Sequence, residues 1–321
     1  MYNISRLATG GGRKRNQSIE LLRIVMMTLI VFGHFIGFGY HGKTNPDGTL
    51  NLSAYLLPLY LYHVDAFVFI SGYYGINLRW DKFVMLIVKM VVYSIVAIGL
   101  AMFVMPDFKL TVSSFLYNVY PISACDWWFM SQYLFLMLMS PIINKGVEAL
   151  DKKTLMILVI MLYLSWFRCT SVLLLFIYIL GRYFRKYPCK SLEENAGKIF
   201  VGTVAVFFAL NYYLMNCGIY LTKLYDYMSP FVILPGVAIF YVFKKIDFQI
   251  KGIDYIASGV LAAYLITTHE LPRQAFNDYF FEMVHGNAIA LLGISLLAVV
   301  LCSLGDRLFF SFINIKTSIK K

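Results

Sequence analysis

The sequence predicts an all-α, polytopic integral membrane helix bundle of about ten transmembrane helices with both termini cytoplasmic. Three observations carry that expectation. The 321 residues are 60% hydrophobic and only 14% charged, where a soluble domain averages about 45–50% apolar and about 25% charged. The mean hydropathy is +0.70. The apolar runs are long and continuous, unlike the alternating segments of about 10 residues that a barrel requires. A soluble enzyme, a disordered chain and a disulfide-stapled secreted domain are excluded. The five cysteines, Cys125, Cys169, Cys189, Cys217 and Cys302, show no metal-ligand or paired spacing, so buried thiols and no metal site are expected.

A membrane helix needs about 20 mainly apolar residues. Ten stretches qualify or nearly so: 19–38, 53–76, 83–104, 127–144, 154–167, 170–185, 199–217, 229–243, 255–270 and 287–304. The first is apolar except for a few ionisable positions. The second ends in Ser71-Gly72, a pair that permits close helix packing. The third is apolar apart from Lys89 and Ser94. The fourth opens on Trp127-Trp128 and closes near Pro141. The fifth and sixth are short, separated by Arg168, Cys169 and Thr170, and read as a tight helical hairpin. The seventh and eighth are plain spans. The ninth ends in His269-Glu270, and the tenth precedes a basic tail. Pro58, Pro121, Pro141, Pro230, Pro235 and Pro272 fall mainly near helix ends, so unbroken helices are expected.

Topology follows from the basic residues. With a cytoplasmic N-terminus, the alternate segments on the inside hold 21 Lys and Arg, those on the outside hold five (Lys43, Lys109, Arg168, Lys223, Arg273), and Arg23 and Lys89 lie within helices. Cytoplasmic loops attract Lys and Arg, so the net charge of +11 is mostly a topology record and not a sign of nucleic acid. The expected organisation is a basic cytoplasmic segment over 1–18, one transmembrane domain over 19–310 and a basic cytoplasmic tail over 311–321. A cleavable signal peptide is not expected, because the first apolar run is long and carries Arg23 and His34.

Ionisable groups inside a bilayer are costly and usually face a cavity or a partner. Arg23 and His34 are eleven residues apart, three turns plus about 20°, so they share one helix face about 16 Å apart along the axis. Glu20, three residues before Arg23, is placed to pair with it. In the second helix Asp65 falls near mid-membrane; His63, two residues away, points elsewhere, so Asp65 is better placed to serve another helix, with His34 one possible recipient. His269, about 20 Å from the cytoplasmic start of the ninth helix, lies at a depth similar to His34. Arg79 and Arg182 close helices at the cytoplasmic face, where cations suit phosphates. Of Trp127 and Trp128, one is expected as an interfacial anchor and the other as a groove wall. Ser71 is a further candidate beside the substrate. His41 and His285 are expected in solvated outer loops.

These features resemble the acyltransferase-3 family of polytopic membrane acyltransferases. The likeness rests on ELLRIVMMTLIVFGH, with an acidic residue three before the Arg and a His eleven after it. It rests also on VDAFVFISGYYG, on WWFMSQYLFLMLMSPII and on AYLITTHE, where two threonines depart from the family's Tyr-Leu-Ile-His run. The resemblance implies a ten-helix membrane O-acyltransferase, most often an O-acetyltransferase, of the bacterial cytoplasmic (plasma) membrane. It would move an acyl group from cytoplasmic acyl-CoA, usually acetyl-CoA, to a hydroxyl of a cell-surface or lipid-linked glycan. No permanently bound cofactor is implied, and the lipid bilayer is the remaining partner. On that reading His34, Asp65 and His269 are the catalytic candidates. Arg23, Glu20, Arg79 and Arg182 are the candidates for CoA, and Trp127, Trp128 and Ser71 for the acceptor. The competing classes are a transporter or lipid-linked glycan flippase, and a non-catalytic subunit of a glycan-assembly complex. The lack of an internal repeat and the placement of the prolines argue against transport.

Overall fold

A computed structural model describes residues 16–41, 50–105, 107–119, 127–165, 172–247 and 249–318, with side chains to residue 311. The elements are α1 (Gln17–Gly39), α2 (Leu52–Tyr60), α3 (His63–Tyr74), α4 (Trp80–Val104), α5 (Val112–Val119), α6 (Trp128–Ala149) and α7 (Lys152–Ser165), then α8 (Leu173–Lys186), α9 (Lys190–Asn216), α10 (Pro230–Lys245), α11 (Ile253–Ala257), α12 (Leu261–Thr267), α13 (Glu270–Met283) and α14 (Ala288–Ser318). Local sequence sets several boundaries. Asn16 caps α1 by accepting from the N–H groups of Ser18 and Ile19, and Asn51 caps α2 by accepting from Ser53; both satisfy orphan donors at a helix start.

Among the described residues, six helical segments are long and apolar enough to cross a membrane: Gln17–Gly39, Leu52–Tyr74, Trp80–Val104, Lys190–Asn216, Thr222–Lys245 and Ala288–Ser311. The other predicted spans differ for identifiable reasons. α7 and α8 have 14 residues each, about 21 Å of helix. The residues expected to turn between them, 168–170, lie outside the described residues. α6 is long enough but carries Asn144, Lys145 and Glu148 in its last turns.

Two predicted spans are broken. The second is interrupted at Leu61–Tyr62, between α2 and α3. The ninth becomes α11, α12 and α13, with His269 as the extended N-cap residue of α13. The expectation that prolines avoid helix interiors is corrected: Pro58, Pro141 and Pro235 lie inside α2, α6 and α10. Pro58 lacks the N–H that would bond the Ala54 carbonyl. The buried Asn211 of α9 replaces it, its amide donating to the carbonyls of Ala54 and Tyr55, both at 3.2 Å, while its own oxygen accepts from Tyr225 at 2.7 Å. The break is therefore a built feature with its backbone groups satisfied.

α1 is the central element, packed against α2, α3 and α10 to α14. α3 and α8 make the closest helix pair. A Cβ on Gly181 would lie 2.7 Å from the Tyr73 nitrogen, and one on Gly72 would strike the Tyr178 carbonyl; the expected small-residue packing at Ser71-Gly72 is thus realised. Below that contact, Tyr178 accepts from the Ile76 N–H and donates to Asn144, and Asn144 donates to the Ile76 carbonyl. That knot fixes the chain where it leaves α3.

The outward faces are apolar. α4 buries Met90, Tyr93, Ala97 and Ala101 at helical spacing while Val84, Val88, Ile95 and Phe103 are exposed, Phe103 to 87%. A helix apolar on both faces is built for lipid outside and protein inside. The basic residues assigned to one side in the sequence meet at one end of the bundle: Lys244 bonds Glu193, Arg185 and Lys244 cover the Tyr73 ring, Lys186 caps the carbonyls of Val147, Glu148 and Leu150, and Arg307 lies over Tyr255. Within the bundle Lys89 pairs with the buried Asp306 at 2.6 Å, with Tyr93 donating to the same carboxylate. The buried-thiol expectation is corrected for Cys189 and Cys217, which are exposed because they cap the two ends of α9. Cys125 and Cys169 lie outside the described residues.

Candidate functional site

A cavity of about 260 Å³ runs beside α1. It is lined by Arg23, Met27, Ile30 and His34 of α1, by His63, Phe67 and Ser71 of α3, by Trp128, Phe129 and Tyr133 at and after the start of α6, and by Tyr227, Leu261 and Tyr264. The helical spacing explains the α1 contribution: 23, 27, 30 and 34 fall on one face. A second pocket, of about 540 Å³, opens at the far end of the same face and is lined by Gly33, His34, Gly37, Phe38, His41 and Gln274. His34 is common to both, and Arg23 marks the opposite end of the first.

At that end Arg23 is one-third exposed and holds Glu20 at 3.1 Å, a carboxylate buried in the first turn of α1. The pairing expected from the spacing is present. Glu20 stands behind the guanidinium and not in the cavity wall. Towards the other end the Nδ1 atoms of His34 and His63 are both buried and accept or donate no hydrogen bond among the described residues. The two imidazoles are close enough to act on each other electrostatically, and Arg273 acts likewise on His34. Around them stand aromatic rings: Tyr264 and Phe38 beside His34, Tyr60 and Tyr227 beside His63, and Trp128 against Tyr227 at 5.7 Å. Ser71 donates to the Phe67 carbonyl and lies 3.3 Å from the Tyr133 hydroxyl. The surroundings suit a slim, mostly apolar arm with a reactive group delivered beside a base.

Other sequence candidates lie elsewhere. Asp65 is fully buried against α10, where Gly236 approaches its Cβ, and neither carboxylate oxygen hydrogen-bonds a partner among the described residues. It does not pair with His34. The reason is the two-residue offset: His63 turns into the cavity, and Asp65 therefore turns away. His269 is buried as the cap of α13, its Nδ1 accepting from the Leu271 N–H at 3.4 Å. Because the chain is broken before it, a straight-helix depth does not describe it. Trp127, fully buried, packs edge-on against His269 at 5.4 Å, so it is neither the interfacial anchor nor the groove wall; Trp128 is the tryptophan at the cavity. Arg79 is exposed and paired with Asp81. Arg182 reaches Glu148 beside Gly75, outside the cavity. The residues not assigned to the site from sequence are His63, Tyr133, Tyr227 and Tyr264. The first carried a legible signal, an imidazole in an apolar helix; the tyrosines are three of 24 and carried none.

Residues 16–306 match the sequence family described as an acyltransferase domain, Acyl_transf_3. The chain belongs to the acyltransferase-3 family. No curated protein and no solved structure matches it. The match spans nearly all the described helices, and both pockets lie within the matched region. The broken second and ninth segments, which on their own would suit a transporter, are in this acyltransferase the elements that bring His63 and Tyr264 to the cavity.

Proposed function

We propose that this acyltransferase moves an acyl group from acyl-CoA, most simply acetyl-CoA, to a hydroxyl of an exported or cell-surface glycan, with His34 as the base. The observation that carries this reading is that one imidazole lines two pockets, a cavity of about 260 Å³ that also reaches Arg23 and a pocket of about 540 Å³ at the opposite end of α1. The donor enters from the basic end, taken as cytoplasmic from the distribution of Lys and Arg. Its phosphates meet Arg23, and the about 16 Å to His34 is comparable to a pantetheine arm, so the thioester arrives beside the ring. The acceptor hydroxyl comes from the other pocket.

The reaction then needs one base and no net proton change. His34 takes the hydroxyl proton as the oxygen attacks the thioester carbonyl carbon. The tetrahedral adduct collapses, the C–S bond breaks and an ester forms. The imidazolium returns its proton to the CoA thiolate, giving free CoA thiol. Holding both reactants at one ring supplies proximity and orientation. Trp128 and Tyr227 exclude water beside the thioester, and His63 offers a second imidazole facing the same space.

Replacement of His34 by Ala tests the assignment. Acetyl label transferred from acetyl-CoA to surface polysaccharide is expected to fall by at least about 100-fold, the loss typical of a missing general base, while the protein keeps its monodisperse profile in detergent. Transfer within a few-fold of the parent protein overturns the role of His34.

A further inference from the structure

We infer that the pocket at the C-terminal end of α1 is the acceptor subsite and that its polar rim, His41 and Gln274 held from behind by Asp278, reads an uncharged sugar hydroxyl. This rests on the proposed role of His34 and names where the acceptor is held. Three observations meet here. The floor is made by Gly33 and Gly37, and a Cβ on Gly37 would have nothing within 4 Å, so the space above it is open down to His34. The rim is supplied by α13, which packs on α1. Its Gln274 amide nitrogen lies 3.2 Å from the Phe38 carbonyl, 3.1 Å from His41 Nδ1 and 2.7 Å from an Asp278 oxygen. His41, held at a φ of +51°, brings Nε2 to 3.3 Å from that same oxygen.

An amide nitrogen has two hydrogens, and it faces three partners. With His41 Nδ1 as the acceptor, the two amide hydrogens go to the Phe38 carbonyl and to Nδ1, and His41 Nε2–H donates to Asp278, so the three side chains hold one another. The Gln274 amide oxygen is then the acceptor offered at the rim, and a sugar hydroxyl can donate to it. A free carboxylate or phosphate is disfavoured, since it would meet Asp278. Phe38 walls the pocket, with the Arg273 guanidinium over its ring at 4.8 Å and the His34 ring at 6.0 Å. A sugar ring seated there presents one hydroxyl to the rim and another to His34, and the rim thereby selects which hydroxyl is acylated.

The full chain in detergent is assayed with radiolabelled acetyl-CoA and, as acceptor, surface polysaccharide from cells deleted for the gene. Two readouts are taken: label on polysaccharide, and hydrolysis of acetyl-CoA to acetate and CoA without polysaccharide. Gln274→Ala is expected to raise the polysaccharide concentration for half-saturation about tenfold, the effect of losing one or two hydrogen bonds, and to raise the ratio of hydrolysis to transfer. Gly37→Phe, which fills open space, is expected to suppress transfer with the same rise in that ratio. An unchanged acceptor saturation and an unchanged ratio in both variants overturn the subsite. A binding readout separates this from failure of the proposed reaction. Gly37→Cys should be labelled by a membrane-impermeant maleimide and protected by oligosaccharides cut from the same polysaccharide. Protection without transfer by the parent protein supports the subsite and overturns the acyl transfer; transfer by the parent without protection overturns the subsite alone.

Discussion

In the proposed reaction His34 and Arg23 do different work, and substitutions at each should separate in kinetics. Arg23→Ala would strand the buried Glu20 carboxylate, a change that costs folding as well as binding. Arg23→Gln keeps a donor for Glu20 and removes the charge. It is expected to raise the acetyl-CoA concentration for half-saturation by about 10- to 100-fold, the worth of a charge-assisted contact to phosphate, with a smaller effect on the rate at saturating donor. Unchanged donor saturation would reduce Arg23 to a partner of Glu20. At this scale the sequence was most informative where a charged or titratable group stood in an apolar run, because only function or a partner holds it there. His34, Arg23 and Glu20 were legible for that reason. Asp65 and His269 sent the same signal and are seated away from the cavity, since a helix cap and a helix–helix contact also retain polar groups. Gln274 and Asp278 were hidden because they sit on an amphipathic helix that begins where the ninth span was expected to end.

The elements that shape the site are those whose regularity is interrupted. Pro58 and the break at Leu61–Tyr62 turn His63 to the N-terminus of its own helix and into the cavity. Asn211 supports the break from α9. Asn211→Leu removes that support and leaves buried carbonyls and the Tyr225 hydroxyl without it. The expected loss is about 1–3 kcal/mol of stability, read as a lowered midpoint of thermal unfolding in detergent together with weakened acetyl transfer. An unchanged midpoint would mean the break holds without Asn211. The seam between α3 and α8 was legible from Ser71-Gly72. The breaks were not, because a proline in an apolar run is compatible with a kink, a cap or an unbroken helix, and only the distant partner decides which.

At the scale of the whole molecule, composition decided the class and the distribution of charge organised it. The apolar exterior of α4 is the three-dimensional form of the continuous apolar runs read along the chain, and Lys186, Lys244 and Arg307, all assigned to one side in the sequence, gather with their neighbours at one end. What a linear reading of hydropathy conveys poorly is depth: short helices such as α7 and α8 and the divided ninth segment do not carry their position in their length. The central claim is that donor and acceptor reach His34 from opposite ends of α1. Proteoliposomes test it most directly, with acetyl-CoA and polysaccharide placed on the same side or on opposite sides of a sealed bilayer. If each molecule exposes one pocket to each side, as proposed, the outcome does not depend on how the protein inserts. Acetyl label is expected on the polysaccharide only when the two substrates are on opposite sides; equal labelling with both on one side would contradict the account.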